Sequence, residues 1–174
     1  MTSTPDEGPF QATSLAQQVV AALLARRMTV ATCESLTGGL ICAALTSVAG
    51  SSRVLRGGLV TYAVDLKTRL AGVDPRIITD HGVVSREVAC AMADGARRVC
   101  QADWAIAVTG VAGPGPSNGV SAGTVWLAIT SSRAQTAMLL ALPGTRAQVR
   151  CGVVDQALTA LMRMLDREPP GVRW

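Results

Sequence analysis

One histidine, one lysine, one tyrosine and one phenylalanine occur in 174 residues, and each shortage removes a class of function. The single histidine, His81, leaves the five cysteines (Cys33, Cys42, Cys90, Cys100, Cys151) without a zinc-ligand set, and no C-x-x-C pair occurs among them. They read as small buried hydrophobes and not as a disulfide framework. Aromatics make up 3% of the chain, too few to offer stacking platforms for RNA bases. No apolar run approaches the eighteen or so residues of a membrane helix. The polar N-terminus, MTSTPDEGPF, has no basic or apolar region of a secretory signal. These absences predict a soluble cytoplasmic protein with no membrane partner and no nucleic-acid partner.

The chain does hold 49% hydrophobic residues and fifteen arginines, with a net charge of +4. With few aromatics, the core must be built from Ala, Val, Leu and Ile, which suits helices packed closely on a sheet. The arginines never run longer than two. Arg26-Arg27 and Arg97-Arg98 sit near predicted helix C-termini, where cations complement the dipole.

The residues that look like chemistry cluster between 29 and 67. A β-branched strand (Thr29, Val30, Thr32) runs into Glu34-Ser35, then Thr37-Gly38-Gly39 and an apolar helix. A strand-to-helix turn with two glycines allows close approach to a ligand, and the helix N-terminus favours an anion. Cys33, two residues before Ser35, shares its face by strand alternation, but a nucleophilic thiol needs a base or cation nearby. Downstream lie Tyr62 and Lys67, the only lysine. Arginine does not give up its proton in a protein, whereas a desolvated lysine can become a neutral base. One lysine placed near a serine and a tyrosine therefore suggests Ser–Lys nucleophilic chemistry. Composition alone leaves a second reading open, a surface lysine left over in an arginine-biased chain.

Read in order, Ser14 caps a first helix with Leu15, Val19, Ala22 and Leu23 at helical spacing. A strand at 29–34 and a helix at about 37–48 follow, the latter apolar nearly all round and therefore a candidate for self-association. A strand at 57–62 precedes a helix at 64–71 stopped by Gly72 and Pro75, with Lys67 in its first turn. Burial and the helix dipole both push that lysine's pKa down. Ser85 precedes a helix at 86–100, and His81 is read as a polar residue at the site rim. The apolar strand 104–109 empties into a second glycine-rich loop, 110–119, the usual place for a ligand in an open α/β sheet. A hairpin (123–130 and 135–142) and a helix capped by Thr145 and running to about 167 complete the chain, with Pro169-Pro170 ending it. The order predicts one three-layer α/β/α sandwich with a mixed, mostly parallel sheet, spanning residues 13–168 between a flexible N-terminus (1–12) and a short tail (169–174).

The segments CESLTGG, AGSS, GGLVTYAVDLK, GVVS and TGVAGPGPSNGVSAGTVW, in that order, resemble the CinA C-terminal domain family over about residues 14 to 165. The resemblance implies an amidase that converts nicotinamide mononucleotide to nicotinic acid mononucleotide and ammonia, with no cofactor and no metal. It implies Ser35 as nucleophile, Lys67 as base, and Tyr62 as proton relay or holder of the lysine. Backbone groups of Thr37, Gly38 and Gly39 are then the expected oxyanion donors. Thr109, Gly110 and Gly113, or Gly50, Ser51 and Ser52, are the expected phosphate holders, together with an arginine. Ser51 or Ser52 stands as a rival nucleophile. The chain departs from the family pattern at Cys33 (usually alanine), at Val64 (usually a polar cap) and in the second loop, which lacks the charged residues and proline common before its closing glycine. Family members also occur fused to a nucleotide-hydrolysing domain, which this sequence does not contain. The competing reading is a catalytically idle module that binds a nucleotide or docks on a protein of competence or DNA-damage response.

Overall fold

The computed structural model describes residues 13–167, so the expectations for 1–12 and 168–174 lie outside the described residues. Within them the order is α1 (Ser14–Arg26), β1 (Val30–Glu34), α2 (Leu40–Thr46), β2 (Leu55–Val60), α3 (Val64–Ala71), α4 (Pro75–His81), α5 (Arg86–Cys100), β3 (Trp104–Gly110), β4 (Thr124–Thr130), β5 (Gln135–Ala141) and α6 (Arg146–Arg167), with a 3-10 turn at Ser51–Arg53 before β2. The five strands form one mixed sheet in the order β2-β1-β3-β4-β5. β1 pairs in parallel with β2 and β3, while β4 pairs antiparallel with β3 and β5.

Strand alternation builds the three layers. On β3, Trp104, Ile106 and Val108 point into a large core with α1, α2 and α6, whereas Ala105 and Ala107 face α5. Large side chains on one face and alanines on the other bring α5 close to the sheet. The closest approach is between helices. A methyl group on Gly95 of α5 would lie 1.8 Å from the Ala71 carbonyl oxygen of α3, so only glycine fits there. That contact seats α3, and with it Lys67, tightly beside the sheet.

Two expectations about these elements need correction. Pro75 does not stop a helix but begins one: the Asp74 side chain accepts from Arg76 N at 2.8 Å, with proline at the first helical position of α4. Helix α2 buries Ile41 and Leu45 and leaves the apolar Leu40, Cys42, Ala43 and Ala44 half-buried. The cysteines are not uniformly buried: all five are free, and only Cys33 is buried, with Cys151 exposed.

Candidate active site

Alternation along β1 sends neighbouring side chains to opposite faces, so Glu34 turns toward α2 and Ser35 toward α3. The two residues then meet different partners. Glu34 is fully buried and accepts three backbone N–H bonds at the start of α2, from Gly39 (3.0 Å) and Ile41 (3.1 Å) on one oxygen and Cys42 (2.8 Å) on the other. A carboxylate thus already satisfies the positive end of that helix. Gly38 N donates to Ser35 O at 3.1 Å, in a turn that needs positive φ at both Gly38 and Gly39. The Gly38 and Gly39 N–H groups, expected to face a ligand, are therefore spent within the protein. Leu36 and Thr37 are the residues of this turn whose N–H groups have no acceptor among the described residues. Leu36 lines the adjoining cavity and had not been singled out from sequence.

On the other face, the Lys67 side chain is 1% exposed. Its Nζ donates to the Thr61 carbonyl oxygen at 2.6 Å and lies 3.1 Å from Ser35 Oγ. Desolvation is the chief cause holding the lysine pKa below its usual value, with an opposing influence from Cys33. Cys33 itself is pushed up to about 11, first by burial, against a hydrogen bond with Thr61 and the nearby lysine. Its sulfur, 3.5 Å from Thr61 Oγ1, is a neutral thiol at physiological pH and no nucleophile.

Ser35 and Lys67 open onto a cavity of about 860 Å³, which also touches Tyr62, Val64, the segment from His81 to Val84, and the second glycine loop from Thr109 through Asn118. This is the end of the sheet where parallel strands β1 and β3 finish, as expected for a ligand site. Thr109 lines the cavity, but its hydroxyl donates to Val83 O at 2.8 Å and ties the wall together. Gly110 is required by packing, because a Cβ there would meet Thr124 O at 2.5 Å. His81 sits on the rim with Nδ1 3.9 Å from Glu87.

Two expected groups lie elsewhere. Ser51 and Ser52 precede β2, which runs parallel to β1 and pairs Leu55 with Val30. They therefore flank the start of β1, about 17 Å of strand from Ser35 at ~3.3 Å per residue, and they do not line the cavity. They can be neither rival nucleophile nor phosphate holder at this site. Tyr62 does line the cavity, but it is 59% exposed and its hydroxyl accepts from Arg146 at 2.9 Å, so the main chain of Thr61, and not the phenol, holds the lysine.

Arg146 is the residue that sequence reasoning missed. Its second terminal nitrogen donates to Gly113 O at 2.9 Å, so the guanidinium joins the β2–α3 turn to the second glycine loop. A local signal was available. Thr145 and Gln148 form a reciprocal capping box, with Gln148 N donating to Thr145 Oγ1 and Thr145 N to Gln148 Oε1. Arg146 is then the first residue of α6, where a cation opposes the helix dipole at a cost of about 0.3–1 kcal/mol. Arg150, one turn on, donates to Thr37 O at 2.7 Å and so fixes the first glycine turn from α6. Among the described residues no group of three metal-ligating side chains is placed to hold an ion, and no helix is long and apolar enough to cross a membrane.

The comparisons agree with this geometry. A model of the CinA C-terminal domain matches residues 12–165. A putative competence-damage inducible protein of Desulforudis audaxviator is 41% identical over 147 residues, 84% of this chain and 36% of the relative. A CinA-like protein of Acidobacterium capsulatum is 42% identical over 156 residues, 89% of this chain and 38% of the relative. The chain thus spans a little over a third of the length of these curated relatives. Among solved structures, the competence/damage inducible protein CihA from Agrobacterium tumefaciens superposes with a TM-score of 0.85 at 36% identity, covering 96% of this chain and 100% of that one. The competence damage-inducible protein A of Klebsiella pneumoniae gives 0.88 at 32% identity, covering 91% and 99%. With the family model covering nearly all described residues and the same fold recurring at this identity, the chain belongs to the CinA C-terminal domain family.

Proposed function

We propose that the chain is an amidohydrolase that converts nicotinamide mononucleotide to nicotinic acid mononucleotide and ammonia through a Ser35–Lys67 pair. The observation that carries the reading is the 3.1 Å between Ser35 Oγ and the amine of a fully enclosed lysine whose pKa is lowered by burial. Burying the only lysine costs free energy unless the amine is given up as a neutral group or put to use. A catalytically idle module has no need of that arrangement.

In this reaction the neutral Lys67 amine accepts the Ser35 proton as Oγ attacks the carboxamide carbon. The Thr61 carbonyl holds the amine by one N–H and leaves its lone pair for the serine. Oxyanion stabilisation falls to the Leu36 and Thr37 N–H groups, since those of Gly38 and Gly39 are occupied. The Lys67 ammonium returns its proton to the departing nitrogen, which leaves as ammonia. Water then attacks the acyl-enzyme and gives up a proton to Lys67, which passes it to Ser35 Oγ as the acyl bond breaks, freeing the carboxylic acid and restoring the hydroxyl and the neutral amine. A substrate of this kind places the reaction in the cytoplasm. Self-association belongs to the same reading, through the half-buried apolar residues of α2.

Purified chain incubated with nicotinamide mononucleotide is expected to release ammonia in step with loss of the amide. Release no faster than without protein would remove the amidase reading. Light scattering on the same sample tests self-association, a monomeric mass at all concentrations ruling it out.

A further inference from the structure

Several of the backbone and hydroxyl groups expected to hold an anion in this cavity are committed elsewhere. The start of α2 is capped by Glu34, Gly38 N bonds to Ser35 O, Thr109 Oγ1 bonds to Val83 O, and Ser51 and Ser52 flank the other end of β1. The cavity lining nonetheless includes no aspartate or glutamate, and its permanent cation is Arg146. Lys67 is enclosed at the serine. Arg146 is exposed, and among the described residues no carboxylate lies within 4.0 Å of its guanidinium. Its two bonds go to neutral acceptors, Gly113 O and Tyr62 Oη. Two of five N–H donors are used, and the remainder belong to a planar fork held in place from both sides.

We infer that Arg146 is the specificity-determining residue of this cavity, the anchor for a phosphomonoester on the ligand, with Tyr62 and Gly113 fixing its plane. The inference rests on reading the cavity as the site of the proposed reaction and adds how that site distinguishes a nucleotide from its dephosphorylated nucleoside. A phosphate accepts from two guanidinium N–H groups at once and supplies the counter-charge that Arg146 lacks. Tyr62 is then a positioning residue, acting through the arginine.

Binding of ribose 5-phosphate and of ribose, measured by calorimetry on the wild type, Arg146→Gln and Tyr62→Phe, tests this without any turnover. The expected result is binding of ribose 5-phosphate at least tenfold tighter than ribose in the wild type. That advantage should fall to within twofold in Arg146→Gln, weaken severalfold in Tyr62→Phe, and shrink with added salt. No phosphate advantage in the wild type, or an advantage that survives in Arg146→Gln, overturns the inference. Because neither sugar carries an amide, these outcomes are independent of ammonia release. A chain that prefers ribose 5-phosphate yet releases no ammonia keeps the anchor and loses the amidase. Thermal unfolding of each variant confirms that the exposed substitution leaves the fold intact.

Discussion

Two glycine-rich turns leave the ends of neighbouring parallel strands, and they look alike in sequence but differ in how far they are closed. The first, from Ser35 to Gly39, is closed: Glu34 fills the helix N-terminus, Arg150 grips the Thr37 carbonyl, and Ser35 faces a buried amine. The second, from Gly110 to Gly119, is open and largely exposed beyond Gly113; Arg146 holds it at Gly113, Gly110 packs on β4, and backbone bonds tie Val111 to Thr124 and Gly123 and Ser117 to Val120. The lesson is that glycine in such a turn signals a close approach without saying what approaches. In the first turn the visitor is the protein's own carboxylate; at Gly110 it is a neighbouring strand.

Changes in the first turn should therefore be the costly ones. Ser35→Ala or Lys67→Met is expected to lower kcat by about 10³-fold or more with little change in binding, since members of a catalytic pair act as a unit. Steady-state kinetics with nicotinamide mononucleotide measures it, and retention of a tenth of the activity would unseat the pair. Glu34→Gln replaces one accepting oxygen with a donor facing backbone N–H groups, and should lower unfolding free energy by about 3 kcal/mol in urea titration. A loss under 1 kcal/mol would mean the carboxylate is not what closes the turn.

The titration of Lys67 sharpens the contrast further. Burial lowers its pKa from 10.5, so kcat/KM should rise about tenfold per pH unit below the lowered value and level off before 10.5. The sign for stability follows. Between the folded and unfolded pKa values the unfolded chain binds more protons, so stability relative to Lys67→Met rises with pH across that window. Below the folded pKa the burial penalty is present in full. A relative stability that falls with pH over this range would contradict a desolvated amine. The smallest effect is expected in the wall of the open turn: Thr109→Val loses the bond to Val83 and about 1 kcal/mol, with ammonia release nearly unchanged. A large loss of activity would place the Thr109 hydroxyl on the ligand after all.

Much of the scaffold was legible because it follows hydrophobic period. The span 86–100 was read to its observed ends from Ser85 and the spacing of Val88, Ala89, Met92 and Ala96, and β3 from its unbroken apolar run. Lys67 stood out as the chain's one lysine, but composition left a surface lysine equally open, and it was the resemblance of the motifs that paired it with Ser35. What stayed hidden depends on direction and on long-range company. Asp74-Pro75 reads equally as a stop or as a start until the hydrogen bond to Arg76 is seen. Ser51-Ser52 is near Ser35 in sequence, yet the parallel crossover leaves it at the opposite end of the strands. Arg146 was one of fifteen arginines, and only the two loops that it joins across the cavity mark it out.

The acceptor that steadies the Lys67 amine is the main-chain oxygen of residue 61. Amino-acid replacement rewrites side chains and leaves carbonyls where the fold puts them, so this brace has no codon of its own to lose. Divergence can swap the threonine without unfastening the lysine, as long as the chain still turns the same way after β2. The brace on the reactive amine is thus inherited with the topology, while the serine and the lysine themselves must be kept letter by letter.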